Sequence, residues 1–182
     1  MTIRELLEKF YSDNGLPIYG GSEQYTFLLT VFGLKLYVPN FKFRKKALYI
    51  HDVEHILNNC DTSWKGEAFI AGWEISTGMW RHIPLAFLSL WAMGYSLWLH
   101  PKQVFYGFKT GLNFIGIIDL TINKEDLLNL HYYELENLLR KDTTVSMGLL
   151  QWCIFLFWCF IGEFVFLLPL LSIVTIWFLL AI

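Results

Sequence analysis

Apolar side chains recur at helical spacing along most of this chain. Ile3, Leu6, Leu7 and Phe10 fall on one side of a helix that opens with Thr2 and Glu5, a capping-box pair. "NGLP" stops that helix. Ser22 is placed to cap a second, running to Gly33, and Asn40 to cap a third. "NNCDTS" reads as a turn, and "WKGEAFIAGWEIST" as a fourth helix ending at Gly78. Pro101 suits the first turn of another. Asn123 is placed to cap "KEDLLNLHYYELENLLRK". There Leu127, Leu128, Leu135, Leu138 and Leu139 form an apolar side, and Arg140 and Lys141 suit the C-terminal end of the dipole. No strand alternates for more than a few residues, and there is no internal repeat or Gly-rich phosphate loop. The expected class is all-α, a helical bundle.

The pattern changes near Val145. From there to Ile182 the only ionisable side chain is Glu163. That stretch exceeds the roughly 20 apolar residues that cross a bilayer once. Two foldings are open. Met147–Ile161 and Phe164–Ile182 can form a membrane-associated helical hairpin about Gly162-Glu163, or one long tilted helix can carry Glu163 facing protein. A carboxylate in hydrocarbon is costly, which favours the hairpin with Glu163 near an interface. A second apolar stretch, Ile83–Leu99, is borderline for a span and is expected to be the central helix of the bundle.

Composition supports membrane contact: 55 % of residues are hydrophobic and 18 % aromatic, with a mean hydropathy of +0.42. A formal net charge of -2 provides no overall basic field to attract nucleic acid. Cys60, Cys153 and Cys159 show neither metal-type spacing nor a disulfide framework. The N-terminus is charged from the start and does not resemble a signal peptide.

The candidate chemistry lies in "HDVEHILNNCDTSWKGE", residues 51–67. With each helical residue advancing about 100°, Asp52 lies about 100° and His55 about 40° from His51, so all three share a face. Two imidazoles one turn apart have the spacing to reach a single ion from one helix. Glu67 opens the next helix, after a turn long enough to fold it back antiparallel. Two imidazoles with one or two carboxylates suit zinc or non-haem iron. The apolar neighbours Ala47, Leu48, Ile50, Val53, Ile56 and Leu57 leave little room for solvating this helix all round. Burying these polar groups unpaired costs several kcal/mol, which a metal would offset. Glu54, on the other side of His51 from His55, and Glu74, seven residues after Glu67, are candidates for orienting the ligands. The plainer reading of both is a solvated helix charge.

Several metal scaffolds are excluded. A His-Asp phosphohydrolase needs a histidine before His51, and none exists. Membrane desaturases use more histidines than the five present. HExxH zincins need Glu where Asp52 stands. HDxxH, eleven residues, then Glu fits without a gap at His51, Asp52, His55 and Glu67. This resembles the signature of the coenzyme Q (ubiquinone) biosynthesis protein 4 family. The likeness extends through "GEAFIAGWE" and, more loosely, to about Asp142. The resemblance implies an all-α, membrane-associated fold with a divalent metal, usually zinc, held by His51, Asp52, His55 and Glu67. It implies action on ubiquinone precursors, by oxidative decarboxylation of a polyprenylated aromatic acid. The family is also described as organising quinone-synthesis enzymes. Two features depart from the pattern: the apolar tail from Met147, and Asn58-Asn59 where glycine is frequent.

The expected layout is therefore a helical metal-binding domain over 1–144, facing the cytoplasm, and a hydrophobic membrane anchor over 145–182. The expected function is that of a metal-dependent lyase on a prenylated quinone precursor. The alternatives are a prenyl-lipid-binding scaffold with a structural metal, and a metal-dependent lipid hydrolase.

Overall fold

The computed structural model describes the backbone of residues 1–181, and all side chains there except those at 173–175, 178, 180 and 181. Ile182, the last residue of the expected anchor, lies outside the described residues. The chain divides into two units, Met1–Asp61 with Ile117–Leu139, and Thr62–Gly116 with the segment from Arg140 onward.

The first unit is built from α1 (Ile3–Asp13), a hairpin of β1 (Thr26–Val31) and β2 (Leu34–Pro39), α2 (Lys42–Leu57), α6 (Lys124–Asn129) and α7 (Tyr132–Leu139). Thr2 and Glu5 form the expected capping box: Thr2 Oγ1 accepts from the Glu5 amide, and the Glu5 carboxylate from the Thr2 amide at 2.9 Å. This fixes the start of α1 and aims Ile3, Leu7 and Tyr11 inward. The Ile3 amide donates to the Leu130 carbonyl at 2.9 Å, and Thr2 pairs with His131. That pairing splits the segment after Asn123. A single helix was expected there, but Leu130 is extended and separates α6 from α7. Asn123 caps α6 as expected, its side chain accepting from the Asp126 amide at 2.9 Å.

The hairpin corrects the all-α expectation: the fold is mostly helical with one two-stranded antiparallel sheet. Residues 22–33 were expected to be helical. Instead a 3₁₀ turn at Ile18–Gly21 leads into β1, and Val31 pairs with Leu34 across a two-residue turn. Phe32 and Gly33 there both have positive φ, 47° and 81°, as a type I′ turn requires. Apart from Lys35 and Pro39, the flanking strand residues are β-branched, aromatic or leucine, a largely apolar run whose periodicity does not distinguish strand from helix. Asn40 likewise does not cap α2. Phe41 stands at the N-cap without a side-chain bond. The buried Asn40 amide instead donates to the carbonyls of Gly21 and Gln24, and its Oδ1 accepts from Arg44 at 3.0 Å.

The second unit comprises α3 (Trp64–Thr77), α4 (Leu85–Leu99), α5 (Pro101–Gly111) and α8 (Leu149–Ala181). Ser63 caps α3 and Gly78, at φ 112°, ends it; Pro101 opens α5. The core gathers Ala68, Ala71, Ile75, Leu90, Met93, Val104, Phe108, Phe155 and Val165. Glycines set its tightest contacts. A β-carbon at Gly72 would meet the Val104 carbonyl, and one at Gly107 the Phe69 carbonyl, so α3 and α5 approach backbone to backbone. Gly94 of α4 meets Gly162 of α8 in the same way.

That last contact corrects the expected C-terminal hairpin: α8 is one continuous helix. Gly162 is a packing surface for α4 rather than a turn. Glu163, whose cost had argued for a break, is held by Trp98, whose indole N–H donates to its carboxylate at 2.9 Å. Pro169 is accommodated within α8. Among the described residues α8 is the one helix long and apolar enough to cross a membrane. The helix of the 83–99 stretch, α4, is shorter.

Candidate metal centre

The fold places the candidate residues on α2 and α3. On α2, His51 and His55 lie one turn apart, as the periodicity requires. Their Nε2 atoms are 3.3 Å from each other and the ring centroids 4.9 Å, in an edge-to-face arrangement. Two nitrogens bound tetrahedrally to one ion at about 2.0–2.1 Å would be separated by about 3.3 Å. One ring N–H donates to the other ring's nitrogen at this distance, which also equals the bite of a shared cation. His55 is buried and its ring packs 5.8 Å from that of Phe10 on α1. His51 is only partly buried.

Asp52 is buried on the same helix, and its Oδ2 accepts from the Tyr11 hydroxyl at 2.9 Å. Burial, then the nearby Asp52 charge and this hydrogen bond, push the Tyr11 phenol well above its ordinary range. Tyr11 therefore stays protonated and serves as a fixed donor to Asp52. A β-carbon at Gly20 would crowd the same Asp52 oxygen, and φ of +63° there suits glycine. Tyr11 and Gly20 complete the surroundings of Asp52 from other segments of the chain. They lie far from Asp52 in sequence, and no local pattern marks them.

We expect Tyr11→Phe to remove this hydrogen bond at little cost in volume. The cooperative unfolding transition should lose roughly 1–2 kcal/mol, measurable by denaturant titration of the purified chain. An unchanged midpoint would show that the bond contributes nothing to stability.

Glu54 is fully buried, at 0 % exposure, and offers a carboxylate oxygen within 4.8 Å of a ring nitrogen of His51. On α3, Glu67 lies in the first turn and is partly buried, while Glu74 is buried at 5 % exposure. The solvated reading of Glu54 and Glu74 is thus overturned. A charged carboxylate is rarely buried unless paired or bound to a cation. On α2, His51 lies within ligand reach of both His55 and Glu54, a group that could help to hold a metal ion, and Asp52, bonded to Tyr11, is not brought into it.

The remaining histidines stay outside this arrangement. His82 ends the 3₁₀ turn after α3, His100 lies between α4 and α5, and His131 pairs with Thr2.

No family model, curated protein or solved structure matches the chain.

Proposed function

We propose that this chain is a metal-dependent, membrane-associated enzyme acting on a lipid-tailed aromatic acid of the quinone-precursor class. In this reading His51, Asp52, His55 and Glu67 hold one divalent ion, zinc first and iron as the alternative. Glu54 and Glu74 orient that set. The observation that carries the reading is the 3.3 Å separation of the two imidazole Nε2 atoms, which matches the bite of a shared cation. The HDxxH-x11-E spacing and the membrane-length helix α8 support it further.

The chemistry assigns a role to each group. When bound, the ion supplies a Lewis acid for a carboxylate or phenolate oxygen. Tyr11, kept protonated by burial, holds Asp52 in one orientation through its 2.9 Å bond, as an outer hydrogen bond fixes a ligand. Partly buried His51 gives the pair an edge that substrate can approach. A prenylated acid needs this combination: its tail partitions into lipid while its charged head is bound by polar groups at the bilayer surface.

Elemental analysis of the purified full chain, with mass spectrometry of co-purified lipid, tests the proposal. The expected result is a near-stoichiometric divalent metal, a prenylated aromatic, and loss of the metal in Glu67→Gln. A metal-free chain that recovers no metal on dialysis would overturn the reading. Full metal content in Glu67→Gln would remove Glu67 from the ligand set. A metal that persists while Asp52→Ala and Glu67→Ala still support product formation would favour the scaffold role over catalysis.

A further inference from the structure

The β1–β2 hairpin presents apolar side chains on both faces. Leu28 lies across from Tyr37 on one face. Leu29 is opposite Leu36, and Val31 opposite Leu34, on the other. Tyr37 is 77 % exposed, Leu34 69 % and Phe32, at the tip, 60 %. A two-stranded ribbon is marginal in water, and exposed apolar edge strands invite aggregation. The tip adds a second anomaly. Phe32 occupies the left-handed region, where this turn type prefers Asn, Asp or Gly. A strained aromatic kept at an exposed tip points to a use for its ring.

The charge around the hairpin identifies the partner. Lys35 lies on β2, and Lys42, Arg44, Lys45 and Lys46 crowd the first five residues of α2, whose first turn holds no acid. Cations at a helix N-terminus oppose its dipole, so this placement is unfavourable for α2 alone. The Arg44 guanidinium stacks 3.9 Å over the Phe27 ring, and the Lys45 ammonium lies 5.6 Å from that of Tyr25. Arg44 and Lys45 of this cluster are thereby held at the aromatic base of the hairpin. An apolar tip with a basic collar complements an anionic bilayer surface, whose acyl layer accepts the rings and whose headgroups accept the lysines.

We propose that the β1–β2 hairpin docks on anionic lipid, with Phe32 and Leu34 entering the acyl layer and the basic residues of β2 and α2 binding the headgroups. This contact is separate from α8 and does not depend on the metal.

The test uses the full chain reconstituted in vesicles, with Cys60, Cys153 and Cys159 changed to serine. An environment-sensitive fluorophore is placed at Leu34→Cys, or at Ile176→Cys on α8 as the reference. In phosphatidylcholine vesicles containing phosphatidylglycerol, the residue-34 label should shift to the blue and be quenched by nitroxide lipids. Combined Lys35→Glu, Lys42→Glu, Lys45→Glu and Lys46→Glu changes, or high salt, should lower that quenching at least about five-fold. The residue-176 label should remain quenched throughout, which separates loss of docking from loss of α8 insertion. A residue-34 label that stays in water beside anionic lipid would overturn the proposal. Equal quenching in neutral vesicles would do the same. So would a blue shift without lipid that grows with protein concentration, which would assign the hairpin to a second copy of the chain.

Discussion

On the proposed function, His51→Ala combined with His55→Ala is expected to abolish metal binding and, with it, turnover of the proposed prenylated substrate. The physical reason is the paired Nε2 geometry: the two nitrogens lie 3.3 Å apart, the spacing two ligands of one tetrahedral ion would have. Losing one outer hydrogen-bond partner of a ligand costs roughly 10–100-fold in metal affinity; removing two ligands outright should exceed that. Competition with a chelator of known affinity measures the effect. His55 is also a buried ring against Phe10, so His55→Ala alone leaves a cavity. His51→Gln, at the partly buried position, is therefore the cleaner variant, and its expected signature is a weaker metal affinity with an unchanged unfolding midpoint in the apo state. If chelator competition gives the double variant wild-type affinity, the two histidines do not bind the ion.

Gly107→Leu should prevent the second unit from packing. Its β-carbon would lie on the Phe69 carbonyl and close to the Trp73 amide, both backbone atoms of α3 that no rotamer change can move aside. Overpacking a core by a few methylenes costs about 1–3 kcal/mol and sometimes more. A contact made by backbone belongs at or above the top of that range, against a total stability of roughly 5–15 kcal/mol. Gly33→Ala provides the contrast. Nothing lies within 4 Å of its added carbon, and only the left-handed φ of +81° resists the change, at about 1–2 kcal/mol. Thermal unfolding in detergent, followed by far-ultraviolet dichroism for the hairpin variant and by near-ultraviolet dichroism of the tryptophans, all in the second unit, for Gly107→Leu, should show a shifted but cooperative transition for Gly33→Ala. Gly107→Leu should show no cooperative transition. A cooperative transition near the wild-type midpoint for Gly107→Leu would mean that α3 and α5 can separate without cost.

How much of this was legible in the sequence depends on how local each determinant is. The Thr2–Glu5 box, Gly78 after α3, Pro101 before α5 and Asn123 before α6 act within a few residues, and each marks the boundary its chemistry implies. The hairpin was missed because "TFLLTVFGLKLYV" is apolar at nearly every position. Its one local signal was Phe32-Gly33, and phenylalanine in the first turn position masks what Asn-Gly would announce. The break at Leu130 depends on a hydrogen bond from Ile3, and no pattern within "LLNLHYY" encodes it. The continuity of α8 is not legible locally, because the partner that holds Glu163, Trp98, lies 65 residues away. At the site, the common face of His51 and His55 followed directly from helical periodicity. The burial of Glu54 did not, because periodicity says which residues share a face but not how much of the helix the rest of the protein covers. Tyr11 as the partner of Asp52 is likewise a long-range fact, separated by 41 residues.

The Trp98–Glu163 bond also bears on biogenesis. A carboxylate midway along an apolar helix costs roughly 2.5–3.5 kcal/mol to partition into a bilayer core unaccompanied. Translation delivers α4 before α8, so the indole is already made when the acidic residue leaves the ribosome. If α8 crosses a membrane, as its length and apolarity allow, docking of the two helices would therefore precede or accompany its entry into lipid.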